Sequence, residues 1–316
     1  MTGARRAAIV RALLAADGKP VSGEVLAADL GISRVAVGKH VAALCDRGFV
    51  IEPVRRTGYR LVSMPSITLP ETVAPLVHDR LWQRFEGGAV TASTNDDAKR
   101  LASGAAAEGT VVVAARQEGG RGRLGRNWES PEGGAYFSAV LRPNIVPMAV
   151  PPLTLVIALG VANGLASLGV ETTVKWPNDV LLGGRKLVGV LVEMSAEADK
   201  VEWVVVGVGI NVRRPAGDRS GFAYVEDVAA DIGPAHAVAA VLDAIAVVYR
   251  RFVAEGFEGL RAQYAELDAI YGCDVVVRDA TGAVVAGGVA GGVDGSGRLL
   301  VGKTPVSGGE VTLRNA

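Results

Sequence analysis

Apolar positions in the first sixty residues recur at helical spacing and then switch to strand alternation. Ile9, Val10, Leu13 and Leu14 make one apolar stripe, which Asp17-Gly18-Lys19-Pro20 ends. Ser22 has the side chain to cap a second helix running to Leu30, with Gly31 as its stop. Ser33 can cap a third, in which Val37, Val41 and Leu44 share the inward face before Arg47-Gly48. Phe49 to Pro53 and Gly58 to Val62 then alternate about Arg55-Arg56-Thr57-Gly58, a hairpin with a basic tip. Two helices joined by a turn at Gly31-Ile32 and followed by a hairpin predict a winged helix-turn-helix over residues 1–64. Gly38 departs from the pattern, since it stands inside the third helix where a helix former is expected.

Residues 65–75 carry Pro65, Pro70 and Pro75 and read as a linker. From 76 to 268, strand-like runs (Val111 to Ala115, Ala135 to Leu141, Leu187 to Glu193, Trp203 to Ile210) interleave with helical ones (Val150 to Leu168, Pro234 to Val253, Leu260 to Leu267). They follow no regular βαβ rhythm, so an α+β domain with a mixed sheet is expected. Gly207 and Gly209 lie within a strand-like run, with no third glycine and no helix after them, which excludes a dinucleotide fingerprint. Residues 269–316 predict a small β domain. Its strands are Asp274 to Arg278, Ala283 to Val289, Arg298 to Val301 and Glu310 to Leu313, with turns at Asp279 to Gly282 and Asp294 to Gly297.

Charge changes this picture at one end only. The 316 residues balance to zero, yet Arg5, Arg6, Arg11, Lys19, Arg34, Lys39, Arg47, Arg55, Arg56 and Arg60 outweigh Asp17, Glu24, Asp29, Asp46 and Glu52 in the first segment. That bias points to a local anion-binding face, which on a winged helix suits DNA. Ser33, Arg34, Ala36, Lys39 and His40 are the expected base-side face of the third helix, and Arg55 and Arg56 the phosphate contacts of the wing. A winged helix used for protein contacts or as a structural appendage is the competing reading. Cys45 and Cys273 are the only cysteines and the three histidines are scattered, so neither a disulfide framework nor a metal-ligand pattern is present. With no signal peptide and only a short, proline-broken apolar stretch at Val146 to Val161, the expected setting is the cytoplasm, with no membrane partner.

The stretch with most chemistry is GRGRLGRNW, Gly120 to Trp128, with Gln117 just upstream. Glycines permit close backbone approach, and Arg121, Arg123 and Arg126 offer planar cations for phosphate or carboxylate. The run suits a loop that closes over an anionic intermediate, although a flexible basic surface loop or a nucleic-acid patch has the same composition. Downstream stand KWPNDV (Lys175 to Val180), GRKLVGVLVE (Gly184 to Glu193) and VGVGINV (Val206 to Val212); upstream is STN, Ser93 to Asn95.

The order and wording of these stretches resemble the biotin–protein ligases, and closely the bifunctional type that also represses biotin biosynthesis, over nearly the whole chain. The resemblance implies a catalytic fold of the class II aminoacyl-tRNA synthetase and biotin ligase kind, closed by an SH3-like barrel. It implies ATP with Mg²⁺, biotin as substrate, and biotinyl-5′-AMP as intermediate and co-repressor. The implied partners are a biotin carboxyl carrier protein, operator DNA and a second copy of the chain once the adenylate is bound. By resemblance Ser93, Thr94, Asn95, Gln117, Arg121, Gly122, Arg123 and Lys186 bind biotin. Ser93 to Asn95 also read as an ordinary helix start. Arg121, Arg123, Arg126, Trp128, Lys175, Asn178, Asn211 and Phe222 would contact ATP or the adenylate, with Val212 to Ala223 ordering over adenine. Lys186, Arg123 and Asp179 are the implied catalytic set; Lys175 competes with Lys186 for the central charge, and Asp179 is the one candidate Mg²⁺ ligand. A lipoate–protein ligase, a non-catalytic biotin sensor and a ligase with a non-regulatory winged helix are the alternatives.

Overall fold

The computed structural model describes residues 2–217 and 221–314. Its first segment comprises α1 (Thr2–Ala15), α2 (Gly23–Leu30), α3 (Arg34–Cys45), β1 (Val50–Val54) and β2 (Gly58–Ser63). The expected caps form: Ser22 Oγ accepts from Glu24 N and Ser33 Oγ from Ala36 N, each at 3.2 Å, and Gly31 ends α2 in the left-handed region at φ 61°. Ile9, Val10, Leu13, Leu26, Val37, Val41 and Leu44 bury a small core of their own. The wing, β1 paired with β2, leans its Tyr59 against both glycines of the helix pair: a Cβ at Gly23 would lie 3.3 Å from the ring, and one at Gly38 3.5 Å from the hydroxyl.

Segment 65–75 joins this unit to the next, and it is packed rather than loose. Thr68, Leu69, Thr72 and Val73 are buried, and Pro70 opens the one-turn helix α4 (Pro70–Val73). Within it Glu71 is 1% exposed and takes ion pairs from Arg6 Nε (2.9 Å) and Arg47 Nη1 (3.1 Å), both in the winged-helix segment. Arg11 adds a hydrogen bond to Ala74 O at 2.5 Å.

The central elements are β3 (Arg84–Thr91), α5 (Thr94–Ser103), β4 (Thr110–Gln117), β5 (Ala135–Leu141), α6 (Leu153–Ala166), β6 (Thr173–Lys175), β7 (Asp179–Leu182), β8 (Arg185–Glu197), β9 (Lys200–Ile210), α7 (Pro234–Glu255) and α8 (Glu258–Leu267). Seven strands form one sheet in the order β3-β4-β5-β9-β8-β7-β6, parallel only between β3 and β4. Its runs of consecutive valines are explained by burial on both faces. Val112, Val140 and Val205 face α5, while Val111, Val113, Phe137, Val204 and Val206 join the core with α6 and α7. Gly160 and Gly164 let α6 approach α7 closely, since a Cβ there would fall 2.9 Å and 2.6 Å from the Cα atoms of Ile245 and Val241. No helix among the described residues is long and apolar enough to cross a membrane.

The last segment holds β10 (Asp274–Arg278), β11 (Val284–Val293), β12 (Leu299–Val301), β13 (Thr304–Val306) and β14 (Glu310–Leu313). They form an open antiparallel sheet, β13-β12-β11-β10-β14, whose outer strands do not pair with each other. Its valines share the core of the central segment, with Tyr264 of α8 and Leu299 of β12 in one cluster.

Gly38 has helical geometry, and its missing Cβ would meet only an ordinary contact with Tyr59. Gly38→Ala is therefore expected to stabilise α3 by about 1 kcal/mol. In the full chain this reads as roughly five-fold slower hydrogen exchange of the α3 amides.

Candidate active site

The site is laid on sheet positions that lack side chains. Gly189 of β8 pairs with Gly209 of β9, and Gly207 pairs with Leu191 of β8 and Ser138 of β5. A Cβ at Gly209 would stand 2.5 Å from Trp128 Nε1, and one at Gly189 2.9 Å from the six-membered ring of the same indole. A Cβ at Gly207 would collide with Asn95 Oδ1. The glycines of VGVGINV thus bring an indole and an amide down onto the backbone, a role for strand glycine that needs no nucleotide fingerprint. Trp128 Nε1 finds no acceptor among the described residues, so no hydrogen bond from the indole holds the ring.

At one end of this floor, Ser93 caps α5, with its Oγ accepting from Asp96 N at 3.5 Å, and Thr94 and Asn95 open the helix. All three are buried and line the pocket, so the helix-start reading of STN holds and the same residues border the pocket. Gln117 also lines it, from the end of β4, but its amide is committed. Its Oε1 accepts from Thr94 N (2.8 Å) and Thr94 Oγ1 (3.1 Å), and its Nε2 donates to Ser130 Oγ (2.8 Å). Asn95 Nδ2 donates to Glu193 Oε2 at 2.8 Å, and Ser138 Oγ donates to Asn95 Oδ1 at 2.5 Å.

The basic loop borders the opening. Gly120 is the glycine forced by proximity, because a Cβ there would collide with Trp128 O; Gly122 lines the pocket without such crowding. Arg121 pairs with Asp96 in the first turn of α5. Arg123 donates to Asn178 Oδ1 at 3.1 Å, and burial draws its pKa down against the pull of Asp179. Arg126 makes a two-pronged pair with Glu310, whose carboxyl that contact holds below the usual range. Glu310 begins β14, and Gly309 and Val311 line the pocket with it, so the small sheet supplies a wall that the sequence did not reveal.

Lys186 faces the middle of the site. Its Nζ is 2.7 Å from Asp179 Oδ1 and 5.2 Å from the centre of the Trp128 ring. Lys175 lines the pocket with no carboxylate at ion-pair distance among the described residues. Asn178 spends its amide on Val190 O (3.0 Å) as well as on Arg123. Phe222 lines the pocket where its backbone bridges to Lys186, as a cap would; residues 218–220 of the expected adenine segment lie outside the described residues. Asn211 is buried just behind the lining, and its Nδ2 donates to Lys186 O at 3.5 Å. The lining holds no histidine or cysteine, and among the described residues no group of three or more His, Cys, Asp or Glu could hold a metal. Five cations face two carboxylates, Asp179 and Glu310: a site able to bind and shield an anion without a protein nucleophile.

The second candidate surface is on the winged helix. Arg34 and Lys39 are exposed on α3, Arg34 with a distant ion pair to Glu24 at 3.6 Å, while Ala36 is half-buried. His40 is half-buried too, and burial, with Arg5 and Arg6 nearby, pulls its imidazole below the ordinary value. Arg55 and Arg56 are exposed at the wing tip. Val35, 71% exposed beside Arg34, was not anticipated; an apolar side chain there suits contact with a thymine methyl.

Gly209→Ala is expected to lift Trp128 off the sheet and to destabilise the fold by about 1–3 kcal/mol, the usual cost of overpacking. A denaturant titration checks the cost, and a crystal structure of the variant checks the indole.

The sequence profile of the Biotin/lipoate A/B protein ligase family matches residues 87–211, and that of an HTH domain matches residues 5–60. The bifunctional ligase/repressor BirA of Bacillus spizizenii is 37% identical over 292 residues, covering 89% of each chain. The protein of the same name from Escherichia coli is 32% identical over 322 residues, covering 96% of each. Among solved structures, the biotin protein ligase of Aquifex aeolicus in complex with biotin and ATP superposes with a TM-score of 0.63 at 27% identity, covering 74% of this chain and 100% of that one. With a winged helix ahead of a glycine-floored cationic pocket, and relatives matching along nearly its whole length, the chain belongs to the biotin–protein ligase family, in its bifunctional ligase/repressor branch.

Proposed function

We infer that the chain activates biotin with ATP as biotinyl-5′-AMP, transfers it to a lysine of a biotin carboxyl carrier protein, and represses transcription through its winged helix. The observation that carries this reading is Lys186 standing over Trp128 in a pocket whose other cations come mostly from the basic loop. In the first step the biotin carboxylate attacks the α-phosphorus and pyrophosphate leaves. In the second, the acceptor amine attacks the mixed anhydride and AMP leaves. Both steps ask for positioning and relief of anionic repulsion, which fixed cations supply.

Ser93, Thr94 and Asn95 take the ring end of biotin, with Gln117 acting through Thr94. Lys186 lies between biotin carboxylate and α-phosphate; Arg121, Gly122 and Arg123 close over them, and Lys175 meets the phosphates. Trp128 and Phe222 flank the adenine. Arg126 serves the loop by holding the small sheet, and Asn211 keeps Lys186 in place. Mg²⁺ would come with ATP and keep most of its waters; Asp179 offers it one carboxylate, now shared with Lys186. We read residues 1–64 as the DNA-binding domain, 76–268 as the catalytic domain and 269–316 as an SH3-like module in open form. Adenylate-driven homodimerisation would place two winged helices on a two-fold operator, with biotinyl-5′-AMP as co-repressor. The cytoplasm, where Cys45 and Cys273 stay free thiols, is the setting this requires.

Pyrophosphate release from ATP and biotin by the purified chain tests the ligase. Lys186→Ala should lower kcat/KM by about a hundred-fold or more, as loss of a charge poised for the transition state does. Biotin binding without pyrophosphate would favour a sensor, and preference for lipoate would overturn the specificity. For the repressor, Arg34→Ala and Arg55→Ala should each weaken operator binding in a gel-shift assay. The wing change should also flatten its salt dependence, as loss of a phosphate contact requires.

A further inference from the structure

We propose that Lys99 is a positioning residue that locks the first arginine of the basic loop and the amide of the biotin-ring pocket into one unit. The inference rests on the reading of the pocket given above. Lys99 sits one helical turn beyond Asn95 and Asp96 on α5, so all three share a face. It does not line the pocket. Its Nζ lies 3.1 Å from Asp96 Oδ1 and 2.8 Å from Glu193 Oε1. Asp96 is the same carboxylate that receives Arg121. Glu193, on β8, uses its other oxygen to accept from Asn95 Nδ2 at 2.8 Å. A continuous chain of contacts therefore runs from Arg121 through Asp96, Lys99 and Glu193 to Asn95, and ends at Ser138 on β5.

The central ammonium is what lets this chain exist. Asp96 and Glu193 share it, and without it two carboxylates face each other with little between them. Burial works against the charged form of both Lys99 and Asp96, yet pairing outweighs it: Glu193 and then Asp96 raise the lysine's pKa, and Lys99 with Arg121 lowers the aspartate's. Asn95 depends on the far end. Its amide has one workable orientation, nitrogen to Glu193 and oxygen to Ser138, over the bare Cα of Gly207. If Glu193 swings away, the amide is free to turn and present the wrong group to the ligand. Asp96 loses the tie through Lys99 to Glu193 on β8, so its carboxylate can turn with Arg121 still attached and no longer holds the loop in one place.

A plain surface ion pair on a helix would affect neither substrate binding nor the loop. The test uses the full chain, with biotin-dependent pyrophosphate release measured at saturating ATP. Lys99→Met should raise the KM for biotin by about ten-fold and leave kcat within about two-fold, and Lys99→Arg should restore most of the loss. Hydrogen exchange of the ligand-free protein supplies a readout independent of ligation: amides of residues 121–127 should exchange faster in Lys99→Met than in the parent. An unchanged biotin KM, a fall in kcat alone, no recovery with arginine, or equal loop exchange would each overturn the proposal. A parent chain that releases no pyrophosphate, while Lys99→Met still loosens the loop, would sink the ligase reading and leave the coupling standing.

Discussion

Three missing side chains decide where everything else in the pocket can stand. A sheet normally presents a layer of Cβ atoms, and any ligand must lie above it. At Gly189, Gly207 and Gly209 that layer is absent on neighbouring strands, and Trp128 and Asn95 settle into the space. Lys186 in turn rests over the indole. The height of the floor fixes the height of the aromatic wall, and the wall fixes that of the charge above it. Strand glycines cost backbone entropy and forgo packing, so their clustering beneath the site marks a position where shape outweighs local stability.

Above the floor, the cations are mostly held before any ligand arrives. Arg121, Arg126 and Lys186 each have a carboxylate partner and Arg123 is bound by Asn178. The arrangement suits a reaction in which nothing but charge and position must be supplied, because donors already fixed in place need little reorganisation when charge develops. It also draws on three separate parts of the chain. The head of α5 gives Asp96, the turn into β7 gives Asn178 and Asp179, and the start of β14 gives Glu310.

Much of this was legible in the sequence, and what was not has physical reasons. Capped helices with regular apolar stripes announced α2 and α3, and strands buried on both faces announced β4 and β9 as runs of valine and β5 as a largely apolar run. β3 was missed because Gly87 and Gly88 interrupt an edge strand that is largely solvent-facing, and β6, β7 and β13 because three or four residues carry no period. The pocket's motifs were visible, but not which atoms were already taken. Gln117 and Asn178 looked like ligand-facing amides, and both have partners across the fold that no local pattern encodes. Asn211 carries a related lesson: a polar residue ending a buried strand can serve a backbone as well as a ligand. The wall from β14 lay more than a hundred residues from the motifs it completes. Prolines marked segment 65–75 as a connection but said nothing of its burial.

That connection has a consequence for how the two ends of the molecule can be exchanged. Glu71 is a carboxylate with almost no access to water, and its partners, Arg6 and Arg47, both belong to the segment that precedes it. If the winged helix is cut away, Glu71 is returned to solvent and loses little. If a foreign winged helix without those arginines is grafted in its place, the carboxylate stays covered but unpaired, at a cost of several kcal/mol. Deletion is thus gentler than substitution. A chimera of this protein must carry both arginines across with the domain, or change Glu71 at the same time.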